Sequence, residues 1–265
     1  MKFLTTTIIV IVLWTKIQAQ DFARKLLDES ARHQEWVQIQ TNGRTLHAFL
    51  IYPEVSEPVT SVIVIHENRG LTDWVRSFAD RLAGQGFLVI APDLLSGYSR
   101  EFTKTSDFPD RDAAREALYK LDQEQIRDDL HAVYANLINN QSCNGKVAVM
   151  GFCWGGSQSF LYATNNWDLN AAFVFYGRAP KAEAQIEEIS APIYGFYGQN
   201  DHRITSTIQE TKARMKDAGK TYEYRIYQGA GHAFMRKGDD PVGSKANKDA
   251  SKNAWLMVKK ILTEL

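Results

Sequence analysis

One stretch decides the fold of this chain: Lys146-Val147-Ala148-Val149-Met150-Gly151-Phe152-Cys153-Trp154-Gly155-Gly156. Residues 146–150 are typical of a short buried strand, and residues 156–163 are typical of the start of a buried helix. A strand, a Gly-x-Cys-x-Gly-Gly turn and a helix in this order resemble a nucleophile elbow in which cysteine replaces the usual serine. The pattern therefore predicts a hydrolase that works through a thiolate. The alternative is a glycine-rich turn around a structural cysteine.

The residue types of this turn suit that chemistry. A nucleophile in a sharp turn has a strained backbone, and neighbouring glycines let the strand and the helix approach closely. The next amide, that of Trp154, then points toward the attacked carbonyl at a helix N-terminus, where negative charge is favoured. We therefore expect Trp154 to contribute its backbone N–H to an oxyanion hole.

Short apolar runs alternate with helical segments along the chain. Most of the runs are continuously apolar, as expected for parallel strands that are covered on both faces, and the first two form an antiparallel pair. The pattern favours one α/β domain, with its chemistry in loops at the carboxyl ends of the strands. The predicted strands are 36–40, 45–52, 61–66, 87–91, 146–150, 171–175, 193–197 and 222–226, and the predicted helices are 74–83, 126–138, 156–163, 206–218 and 249–262.

Two further strands end next to residues that complete a catalytic set. Asp201 follows the strand 193–197, and His232 follows the strand 222–226. The order Cys153, Asp201, His232 is the nucleophile–acid–histidine order of α/β-hydrolases. His232 would transfer the protons, and Asp201 would fix its tautomer and support its charged form. Asp201 alone is typical of a turn, so the triad is predicted from the three residues together.

The loop after the strand 61–66 reads His66-Glu67-Asn68-Arg69-Gly70. α/β-hydrolases supply their second oxyanion amide from the corresponding loop. The His-Glu pair suggests metal chemistry, but no second histidine follows at helical spacing and no cysteines complete a zinc site. We therefore predict no metal site and expect His66 to be structural.

The N-terminal residues are typical of a secretory signal peptide. Lys2 precedes an apolar run over residues 3–14, and Ala19 offers a small residue for cleavage. The run is too short for a comfortable membrane span. We expect residues 1–19 to be removed and residues 20–265 to form a single secreted or periplasmic domain. The alternative is an uncleaved N-terminal anchor.

The net charge limits which kinds of binding partner the protein can have. Removing residues 1–19 takes away Lys2 and Lys16, so 31 basic residues become 29 against 31 acidic ones, a net charge of −2. Without a cluster of positive charge we expect no nucleic-acid partner, and we expect a monomer without a stable membrane partner.

A disulfide between Cys143 and Cys153 needs Cα atoms within about 7 Å. The strand predicted between them would hold its ends roughly 25 Å apart at about 3.3 Å per residue, which excludes the pairing.

Taken together, these motifs resemble the dienelactone hydrolase family, the cysteine branch of the α/β-hydrolases with carboxymethylenebutenolidase-like members. The resemblance runs from about Glu35 to the C-terminus. It is carried by Glu67 before Asn68-Arg69-Gly70, Ala91-Pro92-Asp93-Leu94, Gly151-Phe152-Cys153-Trp154-Gly155-Gly156, Gly198-Gln199-Asn200-Asp201 and Gly231-His232-Ala233-Phe234.

The resemblance implies a role for further residues. Cys153 would attack an ester or lactone carbonyl, and the amides of Trp154 and Asn68 would form the oxyanion hole. Glu67 would hold the thiol in the resting enzyme and help to deprotonate it when substrate arrives. No cofactor is implied.

The resemblance also implies a clamp for a substrate carboxylate. Arg115, in Arg115-Glu116-Ala117-Leu118-Tyr119-Lys120-Leu121, and Arg236, four residues after His232, match the two arginines of the family's well-studied branch. A guanidinium matches a carboxylate bidentately and stays charged. Tyr119 and Tyr176 are candidates to line the same pocket; aromatic core packing is the alternative for each.

Two departures leave the natural substrate open. The predicted signal peptide implies export, whereas the dienelactone hydrolases of aromatic degradation work inside the cell. Asp122 follows Leu121 where that branch has an aromatic residue near its pocket. The sequence therefore predicts an exported hydrolase of small carboxylic esters or lactones, preferably carrying a carboxylate. The alternatives are a broad carboxylesterase or peptidase of the same fold, and an exported binding protein without turnover.

Overall fold

The computed structural model describes residues 22–265. Its strands are β1 (Gln34–Thr41), β2 (Arg44–Ile51), β3 (Val59–Ile65), β4 (Leu88–Pro92), β5 (Cys143–Phe152), β6 (Ala171–Phe175), β7 (Ile193–Gly198) and β8 (Tyr222–Tyr227). Its helices are α1 (22–28), α2 (Asp73–Ala83), α3 (Arg111–Leu118), α4 (Gln123–Ile138), α5 (Trp154–Tyr162), α6 (Glu183–Glu187), α7 (His202–Thr205), α8 (Ile208–Asp217), α9 (Phe234–Asp239) and α10 (Lys245–Glu264). A 3₁₀ turn covers Thr105–Asp107.

All eight strands form one sheet, in the order β1-β2-β4-β3-β5-β6-β7-β8. β1 pairs with β2 and β2 pairs with β4 in antiparallel fashion, whereas every other neighbouring pair is parallel. This arrangement is an α/β-hydrolase sheet with a leading antiparallel pair, as the alternating pattern predicted. The carboxyl ends of the parallel strands meet at one edge.

The continuous apolar runs are explained by cores on both faces of the sheet. In β3, Val62 and Val64 pack with residues of α2 and α10, and Ile63 and Ile65 pack with residues of α4. All four side chains are fully buried. Because successive strand residues point to opposite faces, a strand with a core on each side must be apolar throughout.

Several helices were not predicted from the sequence. α1, α3, α6, α7 and α9 are each eight residues or shorter, and short polar helices give a weak periodic signal. α3 shows this clearly, since only Ala114, Ala117 and Leu118 of its residues are buried. Its start is marked locally by Asp110, whose side chain accepts hydrogen bonds from the two amides of residues 112 and 113. α10 is also longer than the predicted 249–262.

The predicted signal peptide, residues 1–19, lies outside the described residues. From residue 22 to the C-terminus, every helix is too short or too polar to cross a lipid bilayer.

The first turn of α5 lies against the end of β3, and glycine at position 155 makes this approach possible. A Cβ atom on Gly155 would lie 2.3 Å from the carbonyl oxygen of His66 and 2.5 Å from that of Ile65. Both contacts are with backbone atoms, which cannot rotate away as a side chain can. The nucleophile turn and the β3–α2 loop are therefore held together at backbone contact distance.

We expect Gly155→Ala to lower the free energy of unfolding by about 3 kcal/mol, because the new methyl group forces two packed backbone segments apart. Urea denaturation measures this change. Gly231→Ala is the matched control, since a Cβ atom there would meet no atom within 4 Å; its effect should stay within about 1 kcal/mol. Similar losses in both variants would contradict the steric explanation.

Candidate active site

Three loops at the carboxyl edge of the sheet bring Cys153, Asp201 and His232 together. Cys153 follows β5, Asp201 lies three residues beyond β7, and His232 lies five residues beyond β8. The Nε2 atom of His232 lies 3.1 Å from the Sγ atom of Cys153, and its Nδ1 atom lies 2.5 Å from Oδ2 of Asp201. These three side chains form a hydrogen-bonded chain in which His232 can exchange a proton with the thiol.

Cys153 has the strained backbone expected of a nucleophile elbow. Its φ is +57° and its ψ is −110°, outside the regions that a side chain with a Cβ atom normally adopts. A hydrogen bond of 2.9 Å from its N–H to the carbonyl of Phe175 fixes the turn against β6. Cys143 lies at the opposite end of β5 and both cysteines are free thiols, so the predicted exclusion of a disulfide is confirmed.

Backbone contacts between the last two loops hold Asp201 and His232 at this separation. The amide of Asn200 donates to the carbonyl of Ala230 over 2.9 Å, and the amide of Gln199 donates to the carbonyl of Tyr227 over 3.0 Å. The carboxylate of Asp201 is 6% exposed, so water competes little for its hydrogen bond to the imidazole. The distance is therefore set by the scaffold rather than by flexible side chains.

The imidazole of His232 is basic in this setting. Burial alone lowers its pKa, but the hydrogen bonds to Asp201 and Cys153 and their negative charges outweigh that effect and raise the pKa to about 9. At neutral pH the geometry therefore favours an imidazolium beside the sulfur. An adjacent imidazolium favours the thiolate, which is the nucleophilic form of cysteine.

The two predicted oxyanion amides belong to segments that meet at Gly155, two residues after Cys153. Trp154 is the first residue of α5, and Asn68 lies in the β3–α2 loop that contacts Gly155. Neither backbone N–H donates a hydrogen bond to a residue in the described part of the chain. Both donors are therefore available to a negatively charged oxygen, as an oxyanion hole requires.

His66 is structural, as the sequence predicted. Its fully buried ring stacks on the Trp154 ring at 5.6 Å between centroids. Its Nδ1 lies 2.8 Å from the carbonyl oxygen of Glu67, and its Nε2 lies 3.3 Å from the amide N of Leu94, which donates to it. Burial lowers the pKa of His66, which favours the neutral ring that these two bonds require. The ring supports the Trp154 side of the site.

Glu67 pairs with Arg236 rather than with the thiol. Its Oε2 atom accepts a hydrogen bond of 2.7 Å from Nε of Arg236, whereas it makes no hydrogen bond with Cys153. A guanidinium forms a stronger, charge-assisted bond with a carboxylate than a thiol does. The resting contact between Glu67 and Cys153 implied by the family resemblance is therefore absent from this conformation, in which His232 is the partner of the thiol.

The remaining predicted pocket residues surround this centre at different depths. The ring of Tyr176 packs edge-on against His232 at 5.0 Å, and its hydroxyl is buried without a hydrogen-bond partner in the described structure. Tyr119 is 58% exposed, and its hydroxyl accepts a hydrogen bond of 3.3 Å from Nδ2 of Asn68. The guanidinium of Arg115 lies 5.9 Å from the centre of the Tyr119 ring. Tyr119 and Arg115 are thus both exposed, and the Tyr119 hydroxyl is bonded to the β3–α2 loop through Asn68.

A set of hydrogen bonds that supports the β3–α2 loop was not predicted from the sequence. Asp93, which is 1% exposed, accepts hydrogen bonds of 2.7 Å and 2.6 Å from the amide and the hydroxyl of Thr105. The same hydroxyl accepts a bond of 3.0 Å from the amide of Leu71 in the β3–α2 loop. The Ala-Pro-Asp-Leu motif therefore braces the loop that carries Glu67 and Asn68. The sequence singled out this motif as part of the family resemblance, but no local pattern identified Thr105 as the hydrogen-bond partner of Asp93.

No group of three or more His, Cys, Asp or Glu side chains within residues 22–265 is arranged to hold a metal ion.

The model of the "Dienelactone hydrolase family" matches residues 46–265. The chain belongs to the dienelactone hydrolase family. A Saccharolobus solfataricus protein named "Putative carboxymethylenebutenolidase" is 30% identical over 253 residues, which cover 84% of this chain and 95% of that protein. A Bradyrhizobium protein named "Probable 2-oxo-3-(5-oxofuran-2-ylidene)propanoate lactonase" is 27% identical, covering 85% of this chain and 93% of its own length.

A solved structure supports the same assignment. The crystal structure of a "Putative Dienelactone Hydrolase" from Klebsiella pneumoniae subsp. pneumoniae matches with a TM-score of 0.77 and 26% identity, covering 89% of this chain and 100% of that one. This member of the dienelactone hydrolase family is therefore a hydrolase with the α/β-hydrolase fold, as its motifs predicted.

Asp201→Asn should lower the pKa of His232 from about 9, because the hydrogen bond to the carboxylate is weakened and its negative charge is lost, and both raise the pKa against the effect of burial. Because the pKa in the folded protein lies above the ordinary histidine value of 6.5, the pair stabilises the fold fully below about pH 6.5. That contribution is lost as pH rises through about 9. NMR titration of the His232 ring measures the pKa, and denaturation at several pH values measures the stability.

Asp240→Asn serves as the control, since that carboxylate accepts a hydrogen bond from the amide of Val242 and makes no contact with the imidazole. It should leave the titration of His232 unchanged. A His232 pKa that stays near 9 in Asp201→Asn would show that the carboxylate does not support the charged ring.

A second prediction concerns the unpaired hydroxyl of Tyr176. A buried hydroxyl without a partner costs about 1–3 kcal/mol, so Tyr176→Phe should leave the free energy of unfolding unchanged or raise it by about 1 kcal/mol. Tyr162→Phe is the matched control. The Tyr162 hydroxyl donates to the carbonyl of Leu130 over 3.1 Å and accepts from Asn166 over 2.9 Å, so its loss should cost about 1 kcal/mol. Equal losses in urea denaturation would mean that Tyr176 has a partner in solution.

Proposed function

We propose that this chain hydrolyses small carboxylic esters or lactones that carry a carboxylate, through a thioester on Cys153. The observation that carries the proposal is the hydrogen-bonded chain from Asp201 through His232 to the sulfur, with distances of 2.5 Å and 3.1 Å. A structural cysteine would have no need of a basic imidazole at this distance. The two unpaired amides beside the thiol complete the groups that acyl transfer requires.

The first half of the reaction forms the thioester. With the thiol proton already on Nε2 of His232, the thiolate sulfur attacks the carbonyl carbon, so that a C–S bond forms and the carbonyl π electrons move to oxygen. The backbone N–H groups of Trp154 and Asn68 stabilise that oxyanion. When the tetrahedral intermediate collapses, the C–O bond breaks, and the leaving oxygen takes the proton from His232.

The second half releases the acid. A water molecule gives a proton to Nε2 of His232 and attacks the thioester carbon, and the same two amides stabilise the second oxyanion. Collapse breaks the C–S bond and returns the electron pair to sulfur beside the imidazolium. Asp201 keeps Nδ1 protonated in both halves, so the same nitrogen of His232 handles every proton transfer.

Support for a carboxylate on the substrate comes from Arg236. Its Nε atom is bound to Glu67, but its two terminal nitrogens make no hydrogen bond with a described residue. These nitrogens can receive a carboxylate while Glu67 stays in place. The name of the Bradyrhizobium relative specifies a lactone that carries a propanoate group.

The test compares the wild type and Cys153→Ala on a lactone carboxylate and on its methyl ester. The wild type should hydrolyse both and prefer the acid by at least about tenfold in kcat/KM, equivalent to about 1.4 kcal/mol in transition-state binding. Cys153→Ala should lose at least about a thousandfold in kcat on both substrates, because no thioester can form. Mass spectrometry of the quenched wild type should show the acyl group on Cys153.

Cys143→Ala is the matched control, since this second thiol lies at the other end of β5 and outside the site. It should retain wild-type rates on both substrates. Turnover that persists in Cys153→Ala would refute the thioester mechanism. Equal rates on the acid and the ester would retain the mechanism and reject the carboxylate.

A further inference from the structure

The strand β8 lies at one end of the sheet, where β7 is its single neighbouring strand in the described structure. None of its six residues is buried, whereas five of the six residues of β7 are. Its register with β7 continues without a bulge, and its sequence Tyr-Glu-Tyr-Arg-Ile-Tyr holds no proline or lysine. Edge strands often carry such features, because an open edge can pair with a strand of another chain. β8 therefore presents a regular, open edge.

Alternate residues of β8 direct their backbone groups toward that open edge. The amide of Ile193 donates to the carbonyl of Thr221 over 3.0 Å, and the amide of Gln199 donates to the carbonyl of Tyr227 over 3.0 Å. Because backbone groups alternate in direction along a strand, the odd-numbered residues of β8 bond to β7 and the even-numbered residues point away from it. The even-numbered residues are Tyr222, Tyr224 and Ile226, and their backbone groups have no partner strand in the described part of the chain.

The side chains of β8 are self-complementary about Tyr224. When two copies of the strand are placed antiparallel around a twofold axis at Tyr224, Glu223 of each copy lies opposite Arg225 of the other. Tyr224 then lies opposite Tyr224 of the second copy, and Tyr222 lies opposite Ile226. Glu223 and Arg225 are both exposed, and opposite charges directly across an antiparallel pair stabilise it. A twofold axis forms two such charge pairs at once.

The same two charges disfavour the neighbouring registers. Since only the even-numbered residues have free backbone groups, the smallest allowed shifts move the axis to Glu223 or to Arg225. One shift places Glu223 opposite Glu223 of the second copy, and the other places Arg225 opposite Arg225. Like charges directly opposite each other destabilise an antiparallel pair. Of these three registers, only the one centred on Tyr224 gives every charge of the strand an opposite charge.

Pairing would break no ion pair of β8. The guanidinium of Arg225 donates to the carbonyl of Tyr224 over 3.1 Å, and this is the one side-chain hydrogen bond that Glu223 or Arg225 forms within residues 22–265. The bonded carbonyl belongs to the open edge. In a paired strand, that carbonyl accepts from the amide of Tyr224 of the second copy, and Arg225 is released to pair with Glu223.

The opposite edge of the sheet lacks this self-complementarity. β1 contains one charged residue, Glu35, whose carboxylate lies 3.7 Å from the ring of His33. Two copies of β1, paired in any register, would place Glu35 opposite a neutral residue or opposite another Glu35. The pattern that favours pairing with a second copy therefore belongs to β8.

We propose that two copies of this chain associate through β8, antiparallel around a twofold axis at Tyr224, so that their sheets form one continuous sheet. The monomer expected from the sequence is the alternative, because the sequence alone does not show that this strand ends the sheet. The proposal is independent of the proposed function. Glu223 and Arg225 lie outside the hydrogen-bonded chain from Asp201 through His232 to Cys153.

Analytical ultracentrifugation over a range of concentrations measures the dissociation constant of the dimer. Glu223→Arg and Arg225→Glu should each weaken the dimer at least about tenfold, because each reversal replaces both charge pairs with like charges. The double variant Glu223→Arg/Arg225→Glu should return to within about threefold of the wild type, since exchanging the two residues preserves the complementarity. Glu57→Arg is the control for charge alone, because Glu57 is exposed in the loop between β2 and β3. It should leave the dissociation constant unchanged.

Hydrogen exchange of the wild type gives a second measurement that needs no substitution and no folded variant. The amides of Tyr222, Tyr224 and Ile226 should exchange slowly at high concentration and rapidly after dilution, since only a second copy protects them. The amides of Glu223 and Arg225 should stay protected at both concentrations, because they bond to β7. This alternation along one strand distinguishes edge pairing from association through another surface.

Three outcomes would overturn the proposal. The first is a wild type that sediments as a monomer at the highest concentration at which it stays in solution. The second is a dimer that neither reversal weakens or that the double variant fails to restore, which would place the interface or its register elsewhere. The third is a complex with the mass of one copy and a different chain, which would assign the edge to another partner. None of these results bears on hydrolysis, which Cys153→Ala tests separately.

Discussion

The site depends on the contact between the first turn of α5 and the end of β3. At Gly155 the two backbones are so close that a Cβ atom would lie 2.3 Å from the carbonyl oxygen of His66. This contact brings the turn that carries Cys153 and Trp154 against the loop that carries Asn68. The stacked rings of His66 and Trp154 reinforce it. Without the contact, the loop that carries Asn68 would no longer be fixed against the turn at Cys153.

Backbone strain in the described chain is concentrated around this contact. Four residues other than glycine have a left-handed φ, and three of them belong to the candidate site: Cys153, Tyr176 and Ala233, which follows His232. Each such residue costs on the order of 1–3 kcal/mol and persists only where the surrounding structure over-determines it. The parallel strands, with apolar cores on both faces, supply that surrounding structure. The strain is a consequence of directing three side chains from separate strand ends toward one point.

The parts of the site that the sequence predicted follow directly from the strands. Cys153 and the loop of Asp201 follow buried apolar strands, and the loop of His232 follows the more exposed strand β8, so local patterning and the order of strands were enough to bring them together. The ion-pair partner of Glu67 could not be predicted in this way, because Arg236 lies 169 residues further along the chain and no local pattern joins the two. The family resemblance identified both residues but implied a contact with the thiol instead of an ion pair. The partner of Asp93 could not be predicted for the same reason, because Thr105 lies twelve residues further along the chain and no local pattern joins the two.

The candidate site contains two carboxylate–cation pairs, Asp201 with His232 and Glu67 with Arg236. The two cations differ in whether they can exchange a proton. His232, with a pKa of about 9, can lose and regain a proton during a reaction near neutral pH. Arg236 cannot, because a guanidinium stays protonated in proteins. The Asp201–His232 pair is therefore suited to proton transfer, and the Glu67–Arg236 pair to holding a fixed charge. The two pairs share no residue, so a change at the Glu67–Arg236 pair would leave the hydrogen-bonded chain from Asp201 through His232 to Cys153 in place.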